Sequence, residues 1–116
     1  IKKAIIQLIQ AEDLSGRTYN FSAYLADKLH KDYHYLSSLF SEMENVTIEQ
    51  YIILQKTEKV KELLLYDELN LEEIAFRLGY SSSAHLSGQF KKVTGFAPSR
   101  FRKLKDHRRK ALDKIK

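Results

Sequence analysis

One short pattern occurs twice in this chain, about fifty residues apart, and it restricts the fold more than any other feature. The first copy runs Leu25-Ala26, Leu29, Leu36, Phe40; the second runs Ile74-Ala75, Leu78, Leu86, Phe90. In each, an apolar-Ala pair is followed three residues after the Ala by Leu, then by a polar gap, then by a Leu–Phe pair at i,i+4. A short helix with one apolar face, a tight turn and a second helix packed on the first would have this spacing, which is a helix-turn-helix. The outer face of the second helix stays free to meet a partner. A single copy of such loose spacing is weak evidence, whereas a repeat predicts two equivalent units in one chain.

Composition agrees with helices. The chain has 116 residues with one Pro and four Gly, and long stretches of Glu, Lys, Leu and Ala favour an all-α fold. Its length suits one domain or two very small subdomains, able to bury roughly two-thirds of the unfolded surface. There are no cysteines, which excludes disulfide scaffolds, thiolate zinc sites and thiol catalysis. No apolar run approaches the roughly 18 residues of a membrane span, and no signal peptide is visible. The chain begins at Ile1, inside an apparent helix and without an initiator Met, so it reads as a fragment.

Charge is unevenly placed. Nine of the Lys and Arg residues fall between Pro98 and Lys116, against Asp106 and Asp113, a net +7 within a total of +5 that leaves −2 for the rest. A basic end on a near-neutral body suits a polyanion, and it equally suits a solvated terminus.

Seven helices follow from periodicity and punctuation. Ile1 to Asp13 carries Ile1, Ile5, Leu8 and Ile9 at helical spacing, with Gly16 as its stop. Asn20 caps a helix whose face holds Phe21, Leu25 and Leu29. His30 and Lys31 make a turn, and Asp32 caps a helix with Leu36, Leu39, Phe40 and Met43 inward. Thr47 and Gln50 form a capping box that opens a long helix to Tyr66, with Ile48, Tyr51, Ile52, Val60, Leu63 and Leu64 apolar. Twenty residues of helix span roughly 30 Å, close to the ~34 Å of one turn of B-DNA. Asn70 and Glu73 form a second box. Gly79 supplies the next turn, Ser81 caps a helix with Leu86, Phe90 and Val93 inward, and Thr94-Gly95 ends it. Pro98 suits the first turn of a last helix with Phe101 and Leu104. The expected division is 1–46 for the first subdomain, 47–66 for a linker helix, 67–105 for the second subdomain and 106–116 for a basic tail.

These residues resemble a known family. Ile74-Ala75-Phe76-Arg77-Leu78-Gly79-Tyr80-Ser81, Leu86, Gln89-Phe90-Lys91-Lys92, Thr94-Gly95 and Pro98-Ser99-Arg100-Phe101-Arg102 are similar to the C-terminal signature of AraC/XylS-type transcription regulators. Leu36, Phe40, Tyr51-Ile52, Lys56 and Leu63-Leu64 fall at the spacing of that family's first unit and linker. The resemblance covers about Asn20 to Lys103. It implies a seven-helix domain of two homeodomain-like units, each inserting a recognition helix into the major groove of promoter DNA, and a preceding sensor or dimerisation domain. RNA polymerase as a partner and a bacterial cytoplasmic, nucleoid-associated setting accompany it. The chain departs from the pattern at His30 and Asn45, where Gly is usual, at Val60 in place of Ala, and at Ala97, where a hydroxyl cap commonly precedes Pro98.

Counting about 100° per residue from Leu36 turns His34, Ser37, Ser38 and Ser41 outward. From Leu86 it turns out Ala84, Ser87, Gly88 and Lys91, with Ser83 leading. The family's base-contacting positions match His34, Ser37 and Ser38 in the first unit, and Ser83, Ala84, Ser87 and Gly88 in the second. Discrimination between bases relies mostly on Arg, Lys, Asn and Gln, and few residues here have that reach. Either small side chains let the helices sit deep against thymine methyls, or phosphate contacts carry most of the affinity; the second reading fits better. Candidate phosphate partners are Lys28, Lys31, Lys56, Arg77, Lys91, Arg100, Arg102 and Lys103; for Lys56 a solvated surface charge is an equal alternative.

Other chemistry finds little footing. His30 and His34 have a zinc-ligand spacing without a third ligand nearby, so no metal or cofactor is expected. His85 suits partly buried packing. No catalytic constellation is present, and a non-enzyme is expected. A helical protein-interaction module that lost base reading remains the alternative function.

Overall fold

Helix starts in this chain are set by side chains that accept the free backbone N–H groups of a first turn. The structure, a computed structural model, describes residues 1–11, 14, 20–66 and 69–105. Its helices are α1 (Lys2–Gln10), α2 (Phe21–Leu29), α3 (Tyr33–Glu44), α4 (Ile48–Tyr66), α5 (Leu71–Arg77) and α6 (Ser83–Thr94), followed by α7 over 98–105. No strand occurs among the described residues. Asn20 accepts from the Ala23 N–H and Asp32 from the His34 N–H. Thr47 and Gln50 exchange bonds of 3.0 and 2.9 Å. Asn70 and Glu73 form the second reciprocal box, at 2.8 and 3.2 Å. The cap of α6 is Ser82 and not Ser81: Ser82 Oγ accepts from the His85 N–H at 3.0 Å. α1 ends at Gln10, short of Asp13, and Gly16 lies outside the described residues.

The repeat is structural, with one difference that its spacing already contains. Matching positions are 49 residues apart before the turn and 50 after it, so the second turn is one residue longer. Both turns begin with a left-handed residue, His30 at φ 54° and Gly79 at φ 76°. Both recognition-type helices also end in one, Asn45 at φ 62° and Gly95 at φ 86°. Thus the two positions where the chain departs from a family Gly still adopt the conformation that favours Gly, at a penalty smaller for Asn than for His. The extra residue falls after Tyr80, which matches Lys31: the N–H of Lys31 donates to Ala26 O as that of Tyr80 donates to Ala75 O at 2.9 Å. The Tyr80 ring is buried.

Two hydrophobic clusters result. The first joins Ile5, Ile9, Leu14, Leu25, Leu36, Phe40, Ile48 and Ile52; the second joins Val60, Leu64, Ile74, Leu78, Leu86 and Phe90. α4 gives its first half to one and its second half to the other. Edge-to-face rings close each unit: Phe40 on Tyr51 at 5.4 Å and Phe90 on Phe101 at 5.4 Å. Leu39, Met43 and Val93, expected inward, are exposed instead, Met43 by 70%, and Leu104 of α7 is exposed too. α3 and α6 have twelve residues each against nine in α2 and seven in α5. Leu39 and Met43 border an open hollow with Ile1, Lys2 and Lys3 at the start of α1, which covers them only in part.

α1 is fastened to the linker by polar contacts as well. Lys59, on α4, is 6% exposed, and its ammonium donates to Gln10 Oε1 at 3.1 Å and pairs with Glu62 at 3.4 Å. Lys2 ties α1 to α3 instead, pairing with Glu44 at 2.6 Å, which raises the lysine above its ordinary value. The radius of gyration is 16.2 Å and the longest extent 53 Å, more elongated than the ~13 Å radius of a compact chain of this length.

Candidate nucleic-acid interface

The buried edge of α3 is Leu36 and Phe40, so the opposite edge faces solvent. His34 and Ser38 are exposed there, while Ser37 and Ser41 lie at its margin, half-buried. α6 repeats this arrangement: Leu86 and Phe90 are buried, Ala84, Gly88 and Lys91 are exposed, and Ser83 and Ser87 are marginal. A Cβ built on Gly88 meets nothing within 4 Å, so the small residue is not required by packing.

Three outward residues were missed by the sequence reading. Tyr35 and Glu42 stand on the exposed side of α3, and Lys92 beside Lys91 on α6. They could have been found by extending the same angular count one position to either side. The matching pair Glu42 and Lys92 makes the two faces electrically unlike. α3 carries Glu42 and Glu44 and no Lys or Arg, whereas α6 carries Lys91 and Lys92 and no acid. Lys2 offsets Glu44, but Glu42 has no such neighbour in the described ion pairs. A polyanion is therefore attracted mainly to α6.

His85 was expected to be partly buried and is exposed. Its ring meets the Tyr80 ring edge-on at 5.3 Å, and its Nδ1 accepts from the Ser81 N–H at 3.2 Å. This fixes the first turn of α6 against the preceding turn.

The basic residues separate by role. Lys28, Lys31, Arg77, Lys91, Arg100 and Lys103 are exposed on or beside the two units. Arg102 is used within the fold: its Nε donates to Leu64 O at 3.0 Å and an Nη to Leu69 O at 3.4 Å. It thereby satisfies carbonyls at and beyond the end of α4 that lack helical partners. Its Nε and one Nη are thus engaged within the fold, and Arg102 serves first to join α7 to the end of α4. Lys56 is no solvated charge either. Its ammonium lies over the Tyr80 ring at 4.8 Å and the Phe21 ring at 5.8 Å, and burial lowers its pKa from the ordinary lysine value.

On the other side of α3, Tyr33 donates to Glu49 Oε1 at 2.6 Å and joins α3 to α4. Burial, followed by this bond, pushes the phenol above its ordinary range, and the same bond lowers Glu49.

Two capped helix pairs, each with an exposed polar second helix, joined by one long helix, define the class: a double helix-turn-helix protein. Residues 25–104 match the helix-turn-helix domain family. The chain belongs to the AraC/XylS-type family of helix-turn-helix regulators, in agreement with the resemblance in its sequence. It is 34% identical over 79 residues to the Msm operon regulatory protein of Streptococcus mutans, a match covering 68% of this chain and 28% of that protein's length. Among solved structures it is similar to the C-terminal domain of AraT, a response regulator from Geobacillus stearothermophilus. That likeness has a TM-score of 0.74 and 28% identity, covering 89% of this chain and 84% of the other. The DNA-binding domain of AdpA, solved in complex with a target DNA, shares the fold with a TM-score of 0.76 at 19% identity, over 93% and 95% of the two chains. DNA-binding transcription regulation is the function of the family in which the chain falls.

Proposed function

We propose that this chain is the sequence-specific, double-stranded DNA-binding part of a bacterial transcription regulator, placing α3 and α6 in successive major grooves of promoter DNA. The observation that carries this reading is the duplicated capped unit with an exposed second helix, held by one uninterrupted α4. Its nineteen residues span roughly 28 Å, near the ~34 Å repeat of a duplex. The working division is two subdomains, 1–46 and 67–105, a linker at 47–66 and a basic tail at 106–116. His34, Ser37 and Ser38 read bases from α3, and Ser83, Ala84, Ser87 and Gly88 from α6, with Tyr35 and His85 at the edge of each face. Lys28, Lys31, Arg77, Lys91, Arg100 and Lys103, joined by Lys92, contact phosphate.

A sensor or dimerisation domain elsewhere in the protein, RNA polymerase as a partner and a cytoplasmic, nucleoid-associated setting belong to the same proposal. No helix among the described residues is long and apolar enough to cross a membrane.

The test is a salt-titrated binding measurement on random duplex and on duplex selected from a randomised pool. Six to seven phosphate contacts give a slope of log K against log salt of roughly −5 to −6, with the selected duplex bound more tightly. Binding with no preference for the selected sequence would remove base reading. No binding at low salt would favour a helical protein-interaction module, to which the acidic face of α3 is better suited than that of α6.

A further inference from the structure

The two hydrophobic clusters share α4 but are otherwise separate cores. A continuous helix fixes how far apart two units sit along its axis. A contact between residues of the two different cores adds a constraint on their relative orientation that neither core supplies alone.

Lys56 stands about midway along α4, between the two clusters. Phe21, the first residue of α2, packs on the first cluster, while Tyr80, in the turn between α5 and α6, belongs to the second. The Lys56 ammonium lies over both rings. Among the described residues no carboxylate is within ion-pair distance of it. A cation on ring faces is held more strongly when water is excluded, and this lysine is largely buried. Tyr80 is itself fixed, by its N–H to Ala75 O and by the His85 ring on its edge. A line of contacts therefore runs from the start of α2 through Lys56 and Tyr80 to the first turn of α6.

We propose that Lys56 is a positioning residue, an inter-unit clamp whose ammonium between Phe21 and Tyr80 sets the orientation of the second recognition helix relative to the first. The clamp stands on geometry alone. Its consequence, that it restricts the half-site spacing the chain accepts, rests on the DNA-binding reading above.

The chain has no cysteine, so spin labels can be placed at Asp27→Cys and Glu72→Cys, exposed on α2 and α5. Pulsed dipolar spectroscopy without DNA should give one narrow distance distribution. Lys56→Met keeps length and apolar stem but loses the charge, and should broaden it. Lys56→Arg should restore the narrow distribution, and Phe21→Leu should broaden it as Lys56→Met does, with circular dichroism confirming helical content in each. A distribution left narrow by Lys56→Met overturns the clamp, whatever the chain does with DNA. Broadening in a chain that binds no duplex upholds the clamp and rejects the DNA-binding reading instead.

On the selected duplex, inserting a few base pairs between half-sites should be penalised less in Lys56→Met than in the parent. The expected loss of discrimination is roughly tenfold, the ratio that about 1.4 kcal/mol of cation–π contact converts to. Weakening of all duplexes alike, with the salt slope reduced by about 1 and the distance distribution unchanged, would make Lys56 a phosphate contact and overturn the proposal.

Discussion

Several residues combine a conformational demand with an ill-suited side chain, and these are where single substitutions are most informative. His30 holds φ 54° at the end of α2, a conformation in which a Cβ meets the following carbonyl. His30→Gly should raise stability by up to about 1 kcal/mol, less what Gly adds to the entropy of the unfolded chain. Asn45→Gly should change it by only a few tenths, because Asn already tolerates this conformation. Urea unfolding of both variants checks the ordering, and a loss of stability in His30→Gly would show that the His30 side chain contributes contacts of its own. Gly88 is the opposite case, a flexible residue in a helix interior with open space around its Cβ. Gly88→Ala should stabilise by roughly 0.5–1 kcal/mol without disturbing the core. If the reading face is assigned correctly, the same substitution changes preference among selected duplexes.

At the scale of elements, the recognition-type helices are held by two buried side chains each, while Met43 and Val93 in their last turns are exposed. Phe90→Ala should therefore lower stability by about 3–5 kcal/mol, whereas Met43→Ala should stay within roughly 0.5 kcal/mol, as exposed positions do. Equal effects would place α3 wrongly against α2. Arg102 links α7 to the end of α4. Arg102→Ala should cost about 1–3 kcal/mol, since it leaves the Leu64 and Leu69 carbonyls without a charged donor. It should leave the salt slope of DNA binding unchanged, while Arg100→Ala should do the reverse; denaturation and salt titration together separate the two arginines. The Tyr33–Glu49 bond adds a pH signature. Glu49 is lowered below 4.5 in the folded chain, so its contribution is present above that value and is lost as pH falls through the folded pKa. The stability difference between the parent and Tyr33→Phe should accordingly be constant near neutrality and shrink in acid. A difference that grows in acid would contradict the assigned direction.

For the whole molecule, the two units are equal in architecture and unequal in charge. α6 and its surroundings carry most of the attraction for a polyanion, while α3 places Glu42 towards it. The basic residues beyond Lys105 lie outside the described residues, and their role is a matter for experiment. If Arg108, Arg109 and Lys110 follow the DNA backbone, truncation after Lys105 should weaken all sequences about equally and lower the salt slope by roughly 2–4. Sequence preference should survive, since phosphate contacts position a protein without reading bases. Unchanged affinity and slope would make the tail a solvated terminus. A changed preference would place it in a groove.

The sequence by itself determined the helices, the duplication and every cap but that of α6, where Ser82 and not Ser81 caps, because each depends on residues within a few positions of one another. Capping boxes at Thr47 and Asn70, left-handed residues at His30 and Gly79, and the Leu–Phe pairs are local features with local causes. It also showed which edge of each recognition-type helix faces outward, since a helix buries one edge as soon as its Leu–Phe pair is fixed. Only the tertiary structure decided the rest. The exposure of Leu39, Met43, Val93 and Leu104 depends on how far other elements cover them, as α1 covers Leu39 and Met43 only in part. The use of Arg102 depends on carbonyls more than thirty residues away. Lys56 acquires its two aromatic partners only when α2 and the second turn approach α4 from opposite units, a meeting that no periodicity along the chain encodes.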